Sequence, residues 1–233
     1  SGSAIVVFSN NEKEPYAYKV TADEETILNT DTGWYKLHDT ESVNNLIWKN
    51  GTIITGSSGV YKFYKNGNEK TFEANIKETL LQTDWTLHFE DGWDTPNAVE
   101  VSELTSLTQL DNESVQHYSG TTTYSKTINV EDIGTHAFID LGQVANIAEL
   151  WCNGKKVGVK WAPPFVFDIT EFINKGSNKL NVKVTNTWRN QLIYDNTRPE
   201  NQKKTWTTNP PEASETELEA SGLIGPVTLK FFN

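Results

Sequence analysis

The sequence contains one cysteine, no methionine, and no apolar run approaching the roughly 18 residues that a membrane-spanning helix needs. A single thiol excludes an internal disulfide framework and a cysteine-based zinc cluster. Cys152 lies within an apolar stretch, so we interpret it as a small buried side chain rather than a reactive thiol. The sequence therefore predicts neither a disulfide-stapled domain nor a transmembrane protein.

The chain also lacks a recognisable start. It opens with Ser1-Gly2-Ser3-Ala4, without Met or a signal sequence, and passes at once into the strand-like residues 5–8. We interpret the sequence as a piece of a longer polypeptide. The catalytic part of that polypeptide, if there is one, is then expected elsewhere.

Basic stripes, metal-ligand spacings and catalytic motifs are absent as well. The net charge is −11 with both signs mixed along the chain, which disfavours nucleic acid as a partner. The four histidines show no metal-ligand spacing, and the 31 acidic residues fall in loops and polar segments with no evident glycosidase pair. We predict no catalytic residues and no cofactor. Whether the domain binds a structural calcium ion is left open, and its ligands are unknown.

Strand signals dominate what is present. Short alternating apolar runs recur at intervals of about eight to twelve residues and end at Gly, Asn, Asp or Pro, which indicates an all-β protein. Asn-Gly at 50–51 and at 66–67 predicts two hairpin turns. We expect a small β-sandwich-like domain over residues 1–76, with strands at 4–8, 17–21, 33–37, 45–48, 52–55 and 59–64.

The strand spacing is lost over residues 73–81 and resumes at 85–89, which places a domain boundary near residue 76. The second domain is expected over residues 77–233. A polar loop at 90–97 and a short helix at 100–107 come before its main strands. Those strands are predicted at 117–128, 136–141, 147–152, 155–160, 165–167, 179–186 and 229–233, with a corner at 176–178 and a long polar loop at 196–220.

Seven ordered motifs carry a family resemblance. They are YSGTTTY at 118–124, DLGQV at 140–144, AELWCNGKKVG at 148–158, WAPPFVFDIT at 161–170, GSNKL at 176–180, VTNTWRN at 184–190 and SGLIGPV at 221–227. The region from about residue 83 onward resembles the galactose-binding-like jelly-roll of glycoside hydrolases. It is similar to the family 2 sugar-binding domain and, more closely, to the C-terminal domain of family 106, the α-L-rhamnosidase group. Tyr194 departs from the glycine that the resemblance implies at that position.

Several motif residues have structural explanations that do not depend on the family. Asn153-Gly154 suits a type I′ turn because both positions tolerate positive φ. Gly158 is expected to allow a close backbone approach before the corner at Pro163-Pro164, which ends the strand and leads into Phe165. Asp168 is expected to cap the turn at 171–174. These residues build a fold, and none of them performs chemistry.

Aromatic residues are the best candidates for ligand contact. Sugars present apolar C–H faces flanked by hydroxyls, which suit flat rings beside polar groups. Trp161 and the run Trp188-Arg189-Asn190 lie at strand ends or in loops, so we name them as candidate carbohydrate-binding residues. Packing of these tryptophans inside the sandwich or against a missing domain is the competing interpretation. Trp34, Trp48 and Trp85 are expected in the core.

The sequence thus predicts a non-catalytic accessory region of a secreted or periplasmic glycan-degrading enzyme, which supports a catalytic domain or holds substrate. Three alternatives stay open. One is a stand-alone carbohydrate-binding module, which measurable sugar affinity would reveal. The others are an intact small hydrolase, which would show activity on aryl glycosides, and an interaction domain that binds only protein.

Overall fold

The structure is a computed structural model that describes residues 58–65, 67–212, 214 and 216–232, together with four short strands before them. The predicted strands at 4–8 and 33–37 and the side chains of Trp34 and Trp48 lie outside the described residues. The chain divides into two compact units, Ser1–Lys77 with Phe232–Asn233, and Glu78–Phe231. That the predicted halves are independently folding domains stays a prediction.

The first unit contributes two antiparallel sheets. Their strands are β1 (Lys19–Ala22), β2 (Glu25–Asn29), β3 (Ile47–Lys49), β4 (Thr52–Ile54), β5 (Gly59–Lys65) and β6 (Asn68–Ala74). Four of them form a sheet in the order β2-β1-β5-β6, and β3 pairs with β4. Lys49 lies opposite Thr52 and Lys65 lies opposite Asn68, so the strands that flank both predicted turns pair as hairpins. Residues 50, 51 and 66 lie outside the described residues.

The second unit is a β-sandwich. Its strands are β7 (Ile76–Leu80), β8 (Thr83–His88), β9 (Ala98–Glu103), β10 (Thr121–Val130), β11 (His136–Asp140), β12 (Gln143–Ala145), β13 (Ile147–Cys152), β14 (Lys155–Lys160), β15 (Val166–Asp168), β16 (Gly176–Thr185), β17 (Gly222–Gly225) and β18 (Thr228–Phe232). Two short α-helices, α1 (Glu113–Gln116) and α2 (Arg189–Asn196), and 3-10 turns at Leu107–Gln109 and Glu200–Gln202 complete it. The predicted all-β class is confirmed.

Two main sheets face each other across the core. The larger has the order β14-β13-β16-β10-β8-β9 and the smaller the order β15-β11-β18-β7. Alternation along each strand sends one set of side chains inward, and in β13 this set is Ala148, Leu150 and Cys152, all of which are fully buried. The predicted burial of Cys152 is thereby confirmed. Trp85 is also fully buried, so its predicted place in the core is confirmed.

Three predictions about secondary structure are wrong. Residues 100–107 do not form a helix, because β9 covers the first part of that segment. Strand spacing is not lost over residues 73–81, where β7 follows β6 after one residue. The expected corner at 176–178 is the beginning of β16, which pairs with β10 from Gly176 opposite Val130. β7 and β9 are mostly exposed, so few buried residues mark their periodicity.

Candidate functional site

The register of the larger sheet brings two predicted tryptophans to the same end of the sandwich. Lys160, the last residue of β14, pairs with Ala148 of β13, and Ala148 pairs in turn with Val184 near the end of β16. Trp161 follows β14 and Trp188 follows β16 by three residues. With adjacent strands about 4.8 Å apart, the ends of β14 and β16 lie about 10 Å from each other. Trp161 is 62% exposed.

Trp188 is the outermost ring of an aromatic cluster. The cluster consists of Phe89, Trp93, Tyr118 and Trp188. The ring centroids of Trp93 and Trp188 are 5.9 Å apart, those of Trp93 and Tyr118 are 5.3 Å apart, and those of Phe89 and Tyr118 are 4.9 Å apart. Tyr118 is fully buried, whereas Trp188 remains 55% exposed. The cluster therefore connects an exposed indole to the core through tilted and edge-on ring contacts.

The two residues after Trp188 begin helix α2 instead of continuing a loop. Nε of Arg189 lies 3.4 Å from Oε1 of Glu219. Asn190 is buried, and its amide bonds the Glu219 backbone in both directions: Nδ2 donates to the carbonyl at 2.8 Å, and Oδ1 accepts from N–H at 2.9 Å. Asn190 therefore anchors the loop at residues 203–221 to α2, and these two bonds occupy its amide groups.

Asp195 anchors the same loop at a second point. This buried residue accepts a hydrogen bond at Oδ1 from Nε2 of Gln191 at 2.9 Å. Its Oδ2 accepts from the backbone N–H of Lys204 at 3.1 Å, and from N–H and Oγ1 of Thr205 at 2.8 and 2.5 Å. The next residue, Trp206, is 82% exposed. An exposed indole thus follows a firmly held backbone segment.

An ion-pair group joins this segment to the β8–β9 loop. The Asp94 carboxylate lies 3.0 Å from Nζ of Lys204 and 3.1 Å from Nη2 of Arg198. Hydrogen bonds from Lys204, and then from Arg198, hold the pKa of the Asp94 carboxyl below its usual value. Nζ of Lys204 also lies 3.4 Å from the carbonyl of Gly92, beside Trp93. Trp206 therefore belongs to the same end of the sandwich as the aromatic cluster.

We call this region the aromatic surface and define it as Trp93, Trp188 and Trp206 with the polar groups of Asp94, Arg198 and Lys204. Sequence reasoning missed Trp93, Asp94, Asp195 and Trp206. The signal available for Trp206 was an isolated tryptophan in a polar loop. Among the described residues, no ring contact links Trp161 to this surface, although both lie at the same end of the larger sheet.

Tyr194, where the resemblance implies glycine, lies within α2. Other side chains pack against its ring. The rings of His117 and Tyr194 stack at 4.4 Å, and the Arg198 guanidinium lies 4.8 Å from the Tyr194 ring. Tyr194 thereby supports Arg198, which in turn bonds Asp94. The departure from the family pattern thus contacts one polar group of the aromatic surface, Arg198.

Most of the structural motif residues behave as predicted. Asn153 and Gly154 have φ values of 52° and 76°, which confirms the turn with two positive φ angles. Asp168 accepts hydrogen bonds at Oδ1 from N–H and Oγ1 of Thr170, at 3.0 and 2.6 Å, so its carboxylate caps the backbone at Thr170, one residue before the predicted turn at 171–174. Phe165, after Pro164, is buried in the core.

The expectation for Gly158 is wrong. A Cβ added at Gly158 would lie 3.7 Å from two ring atoms of Phe167, an ordinary van der Waals separation, and no backbone atom comes as close. Gly158 therefore needs neither a close backbone approach nor an unusual conformation.

The described part of the chain contains neither a set of metal ligands nor an activated nucleophile. No group of three or more His, Cys, Asp or Glu side chains there is arranged to hold a metal ion. Burial raises the pKa of the Cys152 thiol to about 11, and its Sγ faces the carbonyl of Phe172 at 3.4 Å. No helix within the described residues is long and apolar enough to cross a membrane.

Comparison with known proteins agrees with the β-sandwich fold. The model of the "Glycosyl hydrolases family 2, sugar binding domain" matches residues 59–208. The chain is 34% identical over 197 residues to a "Putative beta-glucuronidase" of Formosa agariphila, covering 71% of this chain and 17% of that protein. A rhamnosidase from Novosphingobium sp. PP1Y superimposes with a TM-score of 0.62 at 30% identity, covering 76% of this chain and 18% of that one. The chain spans about a sixth of either relative.

Proposed function

Because the chain belongs to the family of the glycosyl hydrolases family 2 sugar-binding domain, we propose that it binds carbohydrate weakly through the aromatic surface, as a non-catalytic accessory region of a glycan-degrading enzyme. One observation carries the proposal: Trp188 and Trp206 are exposed while the residues beside them are anchored. Large apolar side chains that are exposed together and rimmed by polar residues are typical of ligand or partner binding sites.

The chemistry of the aromatic surface suits a sugar. Indole rings cover the C–H face of a pyranose, and Arg198, Lys204 and Asp94 offer donors and acceptors for hydroxyl groups. Anchoring of Lys204 and Thr205 by Asp195 lowers the conformational entropy lost when Trp206 contacts a ligand. Trp161 lies at the same end of the sheet, beside β14, and could contact a ligand that reaches beyond the aromatic surface. Asn190 is a structural anchor in this proposal rather than a ligand contact.

An NMR titration with rhamnose, galactose, glucuronate and plant oligosaccharides tests the proposal. We expect shifts in residues of the aromatic surface and a Kd on the order of millimolar, or about −4 kcal/mol. Trp188→Ala and Trp206→Ala should each weaken binding by about threefold to tenfold, the usual range for one ring contact. Leu80→Ala, which removes an exposed apolar side chain of β7, is the matched control and should bind like the parent.

Trp161→Ala separates two versions of the proposal. A loss of affinity comparable to that of Trp188→Ala would extend the ligand across the ends of β14 and β16, whereas unchanged affinity would confine it to the aromatic surface. Shifts limited to residues before Glu78 would contradict both versions.

A second candidate follows from the length of the relatives. Since the chain spans about a sixth of either relative, the aromatic surface also suits packing against another domain of a longer polypeptide. The interface would then be protein rather than sugar. Absence of any shift with every sugar, together with burial of Trp188 and Trp206 when the remainder of such a polypeptide is added, would favour this candidate.

Catalytic inertness is part of the proposal. The described residues hold no metal-binding cluster, and the family match covers a sugar-binding domain. Incubation with a panel of nitrophenyl glycosides should give no turnover above buffer. Turnover that disappears on replacing one acidic residue would contradict it.

We also propose that the chain acts in the periplasm or outside the cell, where enzymes of this kind meet polymeric glycans. Fractionation of the native source, with an antibody against this chain, tests the location. Recovery in the cytoplasmic fraction alone would contradict it.

A further inference from the structure

A groove runs along the free side of β9 and is lined by none of the residues that define the aromatic surface. β9 is the last strand of the larger sheet, and its partner β8 covers only one of its sides. The other side lines a cavity of about 750 Å³, whose far wall is formed by Leu110, Asp111, Asn112 and Val115. This volume falls within the usual range of ligand sites, which is about 300–1,000 Å³.

The strand edge within the groove offers backbone groups for pairing. Apart from its ladder with β8, the strand Ala98–Glu103 shows no backbone–backbone hydrogen bond to another described segment. An uncovered edge presents alternating N–H and C=O groups, which can pair with an added extended segment. Six residues of strand span about 20 Å, enough for a peptide of similar length.

The charge of the groove selects the occupant. Glu100, Glu103 and Asp111 line it, and no Lys, Arg or His among the described residues does. A second copy of this chain pairing edge to edge would bring the acidic side chains of two β9 strands together, which is unfavourable. The described part of the chain places no aromatic ring in the groove either, so a sugar would lack a stacking platform.

We propose that this groove binds an extended segment of a separate polypeptide that carries basic side chains and pairs with β9 as an added strand. Backbone hydrogen bonds to the β9 edge supply the register. Glu103 shares one face of β9 with Val101, and Glu100 lies on the other face. Lys or Arg side chains on one face of the added strand therefore meet Glu103, and beyond it Asp111, while side chains on its other face lie beside Glu100. Val101 and Leu104 also line the strand side of the groove and supply its apolar contact.

The test uses synthetic peptides with the whole chain. The probe is acetyl-Lys-Val-Lys-Val-Lys-Val-Lys-amide, and its controls are the same peptide with Glu for Lys and a version N-methylated at alternate amides. We expect ¹⁵N shifts and slowed amide exchange in residues 98–103 with the Lys peptide only. Binding should weaken as salt rises, since exposed charges are screened.

Two charge variants complete the test. Glu103→Lys should weaken binding of the Lys peptide by about threefold to tenfold. Glu171→Lys makes the same change at an exposed turn outside the groove and should leave binding unchanged. Equal binding of the acidic or N-methylated peptide would overturn the proposal, as would shifts in a different region. A dimer in light scattering that Glu103→Lys disrupts would assign the edge to a second copy instead.

Discussion

The Asp195 carboxylate and Thr205 are joined by two hydrogen bonds to one oxygen, from the backbone N–H at 2.8 Å and from the hydroxyl at 2.5 Å. Helix α2 thereby fixes the segment that presents Trp206. Replacing Asp195 with Ala removes the acceptor for four donors and should lower the free energy of unfolding by about 2–3 kcal/mol. Urea denaturation measures this loss.

Amide exchange gives a second measurement for Asp195→Ala. The N–H groups of Lys204 and Thr205 should exchange faster in the variant, because both donate to the missing carboxylate. Asp91→Ala, at an exposed position of the β8–β9 loop, is the control and should change stability by less than about 0.5 kcal/mol. Unaltered exchange at 204–205 would show that the segment is held by other contacts.

Asp168→Ala should destabilise the second unit by about 1–2 kcal/mol, the usual cost of losing a capping side chain. The lost contacts are those from N–H and Oγ1 of Thr170 to Oδ1 of Asp168. The urea midpoint decides the outcome. An unchanged midpoint would mean that water replaces the carboxylate without cost.

Gly142→Ala should be among the most damaging single substitutions in the sandwich. Gly142 has a φ of 62°, and an added Cβ would lie 2.5–2.6 Å from backbone atoms of Gly225 and Pro226. Strain and overpacking together should cost more than about 3 kcal/mol. Gly154→Ala is the matched control, since Gly154 also has positive φ but nothing within 4 Å, and should cost about 1–2 kcal/mol. Equal losses in thermal or urea unfolding would refute the steric explanation.

Tyr118 should make stability fall at high pH. Burial raises its pKa to about 12, with the nearby Glu90 carboxylate adding to the effect. A raised pKa means that the fold favours the neutral phenol, so its contribution is complete below pH 10 and is lost as the pH rises toward 12. Tyr118→Phe should cost about 1–2 kcal/mol at pH 7 by losing its hydrogen bonds. Its urea midpoint should then decline less than that of the parent between pH 9 and about 11.5. Parallel declines would contradict the assignment.

Cys152 should resist alkylation while the protein is folded. With a pKa of about 11, only about one thiol in a thousand is ionised at pH 8, and burial blocks access as well. Iodoacetamide labelling at pH 8, followed by mass spectrometry, should be at least about a hundredfold slower in buffer than in urea. A native rate within about tenfold of the unfolded rate would show that the thiol is accessible.

Local patterns in the sequence determined much of the fold. The Asn153-Gly154 turn was predictable because few residue types readily adopt a positive φ. Strand β13 was predictable because Ala148, Leu150 and Cys152 alternate with Glu149 and Trp151. The order of the seven motifs indicated the sugar-binding family, which the match over residues 59–208 confirms.

Helix α2 and strand β9 escaped prediction for a shared reason. The face that α2 buries carries Asn190, Gln191 and Asp195, so no apolar stripe marks it as a helix. β9 is an edge strand with charged and exposed residues on much of its surface, so its alternation is weak. In both segments hydrogen bonding, rather than apolar periodicity, fixes the structure.

The sequence by itself determined the all-β class, the hairpins, the core alternation and the candidacy of Trp161 and Trp188. Only the tertiary structure decided that Trp93, Trp188 and Trp206 lie at one end of the sandwich, although more than a hundred residues separate the first from the last. That assembly depends on strand register and on the buried acceptors Asn190 and Asp195. Their hydrogen-bond partners are distant in sequence, so a local sequence pattern does not show which buried polar groups will pair.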